Sequence, residues 1–398
     1  MDHRIFIAFQ SIKKKDSSKF RKLLFNEYRK KYLLSQFFYL AYGNHIFRPA
    51  VVLLLVVFSL RKVISVDFKP NRNLSEIYIH NYSNEKKSIL RAFEDAENAS
   101  ELTYTYSLKN LIKNWRVLFG QQFNLNDISK FIKICSNLSK KNSFLVTARQ
   151  IEFLSLYIFY RNFFKNIDVK KIYISSESNP EIISAALGCI NAKINYTNHG
   201  YLNSDLGVFF QDKLVLDSRP LKNRIAPHLL NQEVEFEIIK KSQAQLIKPL
   251  IDTQNILILG SLVLDINYFS KLINDCQKHL SNSHITVRPH PNKTFADPKY
   301  LDLCKRYKIS INPHVSLNQQ LSDSTLVIAG ETSAHLDALA QGVPSIYYRL
   351  DQFPQDHYGF ISSGLIPEVK SLDGLKNSIQ KFYSNPEWLK VYKDYFGE

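Results

Sequence analysis

What most limits the fold of this chain is a strand, turn, helix and strand unit over residues 324–348. Ser324-Thr325-Leu326-Val327-Ile328-Ala329 is a short apolar run of the kind buried on both faces of a parallel sheet. Gly330-Glu331-Thr332-Ser333 then opens a helix carrying Ala334 and Leu336-Asp337-Ala338-Leu339-Ala340. Gln341-Gly342-Val343-Pro344 closes it with Gly past its end, and Ser345-Ile346-Tyr347-Tyr348 resumes a strand. Small and hydroxyl residues at such a helix start leave its free N–H groups facing whatever binds there, which favours phosphate. Upstream, His284-Ile285-Thr286-Val287 reads as a strand that stops at Arg288-Pro289-His290-Pro291, because proline donates no N–H to a ladder. His290 and the Gly330 to Ser333 turn therefore both fall at carboxyl ends of strands, where parallel α/β sheets bind ligands.

This pairing, Arg-Pro-His-Pro followed by Gly-Glu-Thr-Ser before a helix, resembles the His-Pro and Ser motifs of bacterial glycosyltransferases of the GT-B fold. The sialyltransferases, polysialyltransferases and Kdo transferases that use CMP-sugars are the groups it is similar to. The resemblance covers about residues 170–350 and is most specific in the segment 284–348. It implies an α/β protein of two Rossmann-like domains facing a cleft. It further implies a CMP-activated acidic sugar as donor, sialic acid-like or Kdo, and a capsule or lipopolysaccharide glycan or glycolipid as acceptor. No cofactor and no metal are expected, since no DxD-like cluster accompanies the site and hydroxyls, His and helix dipole carry phosphate charge.

A chain of 398 residues is too long for one ordinary core, and its 45% apolar content excludes a disordered protein. The net charge of +16 implies an anionic partner. Residues 1–50 hold eleven Lys or Arg against three acids, and the apolar run Ala50 to Phe58 follows at once. That juxtaposition points to an anionic membrane surface as partner, approached by a basic helical N-terminal arm. The run from Ile46 to Leu60 is broken by Arg48-Pro49 and is shorter than the roughly 18 to 20 apolar residues of a spanning helix, so it reads either as buried core or as an interfacial segment. The expected place is cytoplasmic, peripheral on the inner face of a bacterial cytoplasmic membrane. Cys135, Cys189, Cys276 and Cys304 lack CxxC spacing and read as free thiols.

In order, the arm spans 1–74, an acceptor domain 75–245 and a nucleotide-sugar domain 246–398. The acceptor domain opens with the strand Glu76 to His80, a helix from Glu85 and the strand Leu102 to Tyr106. Helical patterns follow at about 107–119, 126–139 and 147–165, then the strand Lys171 to Ser175. Asn179 and Pro180 start a helix ended by Gly188, and Lys193 to Thr197 is a strand. Residues 213–217 form another strand, with a helix expected near Val234 to Ile247. Asn255 to Leu259 and Gly260 open the last domain, and Pro386-Glu387-Trp388 starts a final helix.

Transfer from CMP needs charge stabilisation on the leaving phosphate and a base or nucleophile. His290 is the first choice for general acid or phosphate contact. Thr332 and Ser333 hold phosphate, or cap the helix with the same atoms. Glu331 accepts from ribose or cytosine, or is a helix-start charge. Arg288, Pro291 and Gly330 complete the donor-binding set that the motifs imply. Asn198-His199-Gly200 stands where sialyltransferases of this fold often carry an acidic Asp/Glu-Asp/Glu-Gly motif, which makes Asn198 and His199 acceptor-side candidates. The base or nucleophile is then Asp265, which doubles as a helix N-cap, or Glu177. Two alternatives remain: a UDP-sugar or CDP-polyol donor on the same fold, or a non-catalytic nucleic-acid- or membrane-binding scaffold. The basic residues gather in the N-terminal arm rather than along a groove, so nucleic acid is not an expected partner.

Overall fold

Short apolar strands alternating with helices assemble, in the computed structural model, into two sheets that belong to two units. Described are residues 3–16, 33–44, 46–64, 66–69, 73–104, 125–177, 179–198, 202, 206–230, 233–239, 247, 254–260, 265–290, 298–312, 314–351 and 356–396. Unit 1 comprises Met1–His199, Asp205–Leu216 and Leu221–Ile239; unit 2 comprises Gly200–Ser204, Asp217–Pro220 and Lys240–Glu398.

Unit 1 holds α1 (His3–Asp16), α2 (Leu33–Gly43), α3 (Arg48–Ile64), β1 (Val66–Lys69), β2 (Asn73–Ile79), α4 (Ser83–Ala92), β3 (Ala99–Tyr104), α5 (Leu125–Lys141), α6 (Phe144–Phe163), β4 (Lys171–Ile174), α7 (Pro180–Gly188), β5 (Lys193–Thr197), β6 (Lys213–Leu216) and β7 (Glu235–Ile238). Its sheet has the order β1-β3-β2-β4-β5-β6-β7, parallel except for β1 at the edge. Strand order reverses between β2 and β4, the switch point of a doubly wound sheet. As expected, the Asn179 side chain caps α7 by accepting from the Glu181 N–H, with Pro180 in the first turn. Gly188 ends that helix against α6, where any Cβ would stand 2.7 Å from the Cβ of Tyr160.

Two expectations change here. The described residues of 1–74 are no separate arm: they cluster with unit 1, where Ala8, Phe9 and Ile12 of α1 are buried and the Gln150 side chain donates to the Phe9 carbonyl at 3.2 Å. The helix expected near Val234 to Ile247 is a strand over Glu235–Ile238. Its four residues alternate charged and apolar with period two, and Lys213 of β6 binds Glu235 at 2.9 Å and Glu237 at 2.8 Å. The helix expected at 107–119 lies outside the described residues.

Unit 2 holds β8 (Asn255–Leu259), α8 (Ile266–His279), β9 (His284–Arg288), α9 (Pro298–Arg306), β10 (Ser310–Ile311), α10 (Leu317–Ser322), β11 (Leu326–Ala329), α11 (Ala334–Ala340), β12 (Ser345–Tyr347), α12 (Leu375–Tyr383) and α13 (Pro386–Phe396). Its parallel sheet runs β10-β9-β8-β11-β12, so by order of appearance the strands lie 3-2-1-4-5. Alternate residues of the two central strands feed different cores. Ile256, Ile258, Leu326 and Ile328 pack with Phe269, Leu272 and Ile273 of α8, whereas Leu257, Leu259, Val327 and Ala329 pack with Leu321 of α10 and Ala338 of α11. Burial on both faces is why these strands read as continuous apolar runs. The order reverses between β8 and β11, and the carboxyl ends of those strands are Gly260 and Gly330.

Candidate functional site

The unit 2 sheet gathers its polar side chains at the carboxyl edge. His335, wholly buried in α11, ties that edge together: Nε2 lies 3.0 Å from the Gly330 carbonyl and Nδ1 lies 2.7 Å from the Ser345 hydroxyl. A carbonyl only accepts, so Nε2 carries the proton and Nδ1 accepts from Ser345. Burial pushes the His335 pKa down to about 4, which keeps this ring neutral and structural. Gly330 is glycine because the next layer comes close: a Cβ there would stand 3.2 Å from the Leu350 Cβ and 3.5 Å from Asp351 Oδ2.

Glu331 follows at once. Its Oε2 accepts from the His357 N–H at 3.0 Å, and the Tyr347 hydroxyl lies beside the carboxyl. Burial, with the neighbouring Asp351 charge second, pushes its pKa up to about 7, while the hydrogen bonds pull the other way. Asp351 itself is buried four residues past the adjacent strand β12. The Thr332 hydroxyl accepts from the Ala334 N–H at 3.3 Å, so Thr332 makes the local turn. Ser333 occupies the N-cap of α11 without a side-chain capping bond.

His290 stands two residues beyond β9, half-buried, and burial lowers its pKa below the ordinary value, so the imidazole is neutral near pH 7. Arg288, the last residue of β9, turns its guanidinium inward: Nη1 donates to the Val315 carbonyl at 2.5 Å and to Gln320 Oε1 at 2.7 Å. Pro291 lies outside the described residues. Asp265 is the N-cap of α8, its Oδ1 accepting from the Asn267 N–H at 2.9 Å while its own N–H donates to the Leu350 carbonyl at 3.0 Å. Asp265, Gly330, Glu331 and Asp351 thus converge on the ends of β8, β11 and β12.

In unit 1, Glu177 sits beyond β4 at the switch point but is covered by α1. Lys15 Nζ donates to its carboxylate, and Ser11 Oγ donates to its backbone carbonyl at 3.4 Å. Asn198 is buried past the end of β5, and His199 lies outside the described residues. The other side of that switch point holds a cluster that sequence reading did not single out. His80, just after β2, meets Glu101 Oε1 at 2.7 Å, and Lys86 Nζ donates to the same oxygen at 2.9 Å. Against burial, which alone would raise it, these two bonds bring the Glu101 pKa down to about 2. A histidine directly after an apolar strand was the available signal; its acidic partner lies one strand over, beyond the reach of local pattern.

No protein-family profile and no curated protein sequence matches this chain. Among solved structures it is similar to UDP-GlcNAc 2-epimerase from Neisseria meningitidis bound to UDP-GlcNAc, at 10% identity over 80% of this chain and 93% of that one, TM-score 0.45. It is similar to the calicheamicin glycosyltransferase CalG4 at 8% identity over 81% and 94% of the two chains, TM-score 0.45. UDP-GlcNAc 2-epimerase from Methanocaldococcus jannaschii stands at 9% identity over 81% and 92%, TM-score 0.44. The strand orders described above, rather than these distant overlaps, define an α/β protein of two Rossmann-like units, the composition of the GT-B fold.

Proposed function

We propose that the chain is a glycosyltransferase that moves a CMP-activated acidic sugar, sialic acid-like or Kdo, onto a cell-surface glycan or glycolipid at the inner face of a bacterial cytoplasmic membrane. The observation that carries this reading is the position of His290 and the Gly330 to Ser333 turn. They stand at the carboxyl ends of β9 and β11, the strands that flank β8 where the order of the unit 2 sheet reverses. A nucleotide phosphate at that edge meets the neutral His290 N–H and the Thr332 and Ser333 hydroxyls. Above pH 7 the Glu331 carboxylate accepts from ribose or from the cytosine amino group.

In the reaction the acceptor hydroxyl oxygen bonds to the anomeric carbon. The bond from that carbon to the CMP phosphate oxygen breaks with its electron pair, and CMP departs as an anion. The hydroxyl proton passes to a carboxylate, for which Asp265 is our first choice and Glu177 the competitor. A donor screen tests the reading. The purified protein is incubated with CMP-Neu5Ac, CMP-Kdo, UDP-GlcNAc and CDP-glycerol, and free nucleotide is measured with and without acceptor. CMP release from the first two alone supports it; UDP or CDP release replaces the donor class; release from none removes the transfer reading.

A further inference from the structure

Among the described residues sixteen large apolar side chains are exposed, and nine of them lie between Phe37 and Phe58. The helix α3 is apolar on both sides. Val51 and Val52 face inward, packed with Tyr42, Cys135 of α5 and Ile151 of α6. On the other side Leu53, Leu54, Val57 and Phe58, spaced i, i+1, i+4 and i+5, are 40 to 58% exposed. A surface helix in water carries polar residues on its outer face, so among the described residues this one lacks a partner. Phe37 and Leu40 of α2 extend the surface at 64 and 71% exposure, and Phe38 joins the two helices edge-on to Phe58 at 6.0 Å.

The same corner is cationic throughout. Residues 33–64 contain no Asp or Glu, nor do residues 128–151, while Lys133, Lys140 and Lys141 are exposed on α5. Between α3 and α5 lies a pocket of about 210 Å³ lined by Arg48, Pro49, Val52, Val56, Ser136 and Lys140. The Arg48 Nε is held by the Tyr42 carbonyl at 2.9 Å, with its guanidinium 5.3 Å from the centre of the Tyr42 ring. Apolar walls carrying two cations and the hydroxyls of Ser136 and Ser139 suit a phosphate joined to hydrocarbon.

We infer that α2, α3 and the end of α5 form a docking face for an anionic phospholipid bilayer, and that the α3/α5 pocket takes the lipid headgroup phosphate, with Arg48 and Lys140 as its partners. Charge complementarity selects this occupant, since a cationic rim without acids matches an anionic leaflet and would repel its own copy. No described helix is long and apolar enough to cross a membrane, so α3 lies along the surface with Leu53, Leu54, Val57 and Phe58 in the acyl boundary. The inference does not rest on the transfer reaction.

The test is sedimentation of the full chain with phosphatidylcholine vesicles, with and without phosphatidylglycerol, over a range of salt. The wild type binds only the anionic vesicles and is released by salt. Leu53→Glu/Phe58→Glu, both at exposed positions, loses binding at least about tenfold while its unfolding transition is unchanged. Lys140→Ala binds roughly fivefold more weakly, the loss expected for one cation at an anionic surface. Equal binding to both vesicle types overturns the headgroup contact. A wild type that dimerises without lipid, turned monomeric by Leu53→Glu/Phe58→Glu with vesicle binding intact, would show that the face belongs to a second copy and overturn the inference.

Discussion

Glu331 and Asp351 follow adjacent parallel strands, β11 and β12, and the Asp351 charge adds to burial in raising the Glu331 carboxyl from its usual 4.5 to about 7. The folded state therefore holds this proton more tightly than the unfolded chain does. Stability from the group is complete below about pH 4 and is lost as the pH rises through about 7. Glu331→Gln carries no charge at any pH. We expect it to exceed the wild type by more than about 1 kcal/mol at pH 8 and to match it near pH 4, in urea unfolding at the two values. An advantage that does not change with pH would mean that the Glu331 proton is not held as described.

If the proposed reaction holds, His290→Ala lowers transfer by on the order of 10² to 10⁴-fold with little change in unfolding, because the ring stands beyond a strand end and that reaction has it donate to the leaving phosphate. Near-normal turnover would remove it from the mechanism. Thr332→Ala/Ser333→Ala should weaken CMP binding in calorimetry more than it alters acceptor use. Unchanged CMP affinity would leave the Thr332 hydroxyl only its turn-forming role and remove Ser333 from the donor site.

Asp265 allows capping to be separated from chemistry, since Asn is as good an N-cap as Asp. Asp265→Asn should keep the stability of α8 yet lose turnover far more than CMP affinity, whereas Asp265→Ala also loses about 1 kcal/mol of stability. If Asp265→Asn is fully active, the proton acceptor is another group.

Glu177 has a structural commitment to Lys15, with the two side chains 3% and 13% exposed. Removing one partner of such a pair leaves the other charge buried, so Glu177→Gln should destabilise by about 3 kcal/mol. The double variant Lys15→Met/Glu177→Gln should recover most of that in thermal unfolding. Recovery of stability without recovery of turnover would add a catalytic role to the structural one.

Much of unit 2 was legible because its central strands are short apolar runs bounded by Gly, Pro and polar residues, so β9, β11 and the turn at Gly330 could be placed within a residue or two. The strand Glu235–Ile238 was missed because four residues of strong alternation sit in a polar stretch whose longer pattern has helical spacing. Asp351 was invisible as a neighbour of Glu331, since their approach depends on two strands lying side by side. The inward turn of Arg288 toward Val315 and Gln320 has the same cause. The N-terminal segment misled for a different reason. Clustered Lys and Arg suggest a solvated arm, but Lys15 is spent on Glu177 and Lys14 Nζ lies 2.7 Å from His228, contacts that no local count of charge can foresee.

The docking of α1 has a consequence for how this protein is made. The Ser11 hydroxyl that donates to the Glu177 carbonyl also accepts from the Val208 N–H at 3.0 Å, across 197 positions of sequence, and a Cβ at the neighbouring Gly207 would collide with it. Synthesis proceeds at about 5 to 20 residues per second, so α1 waits roughly 10 to 40 s before Gly207 and Val208, the last part of its seat, are translated. The residues of α6 that meet α1, Phe153 against the Phe9 ring and Gln150 on the Phe9 carbonyl, are translated earlier, so the seat of this helix is assembled in stages. The bond from the Val208 N–H to Ser11 closes last, and a ribosome paused before residue 208 holds α1 without that final tie.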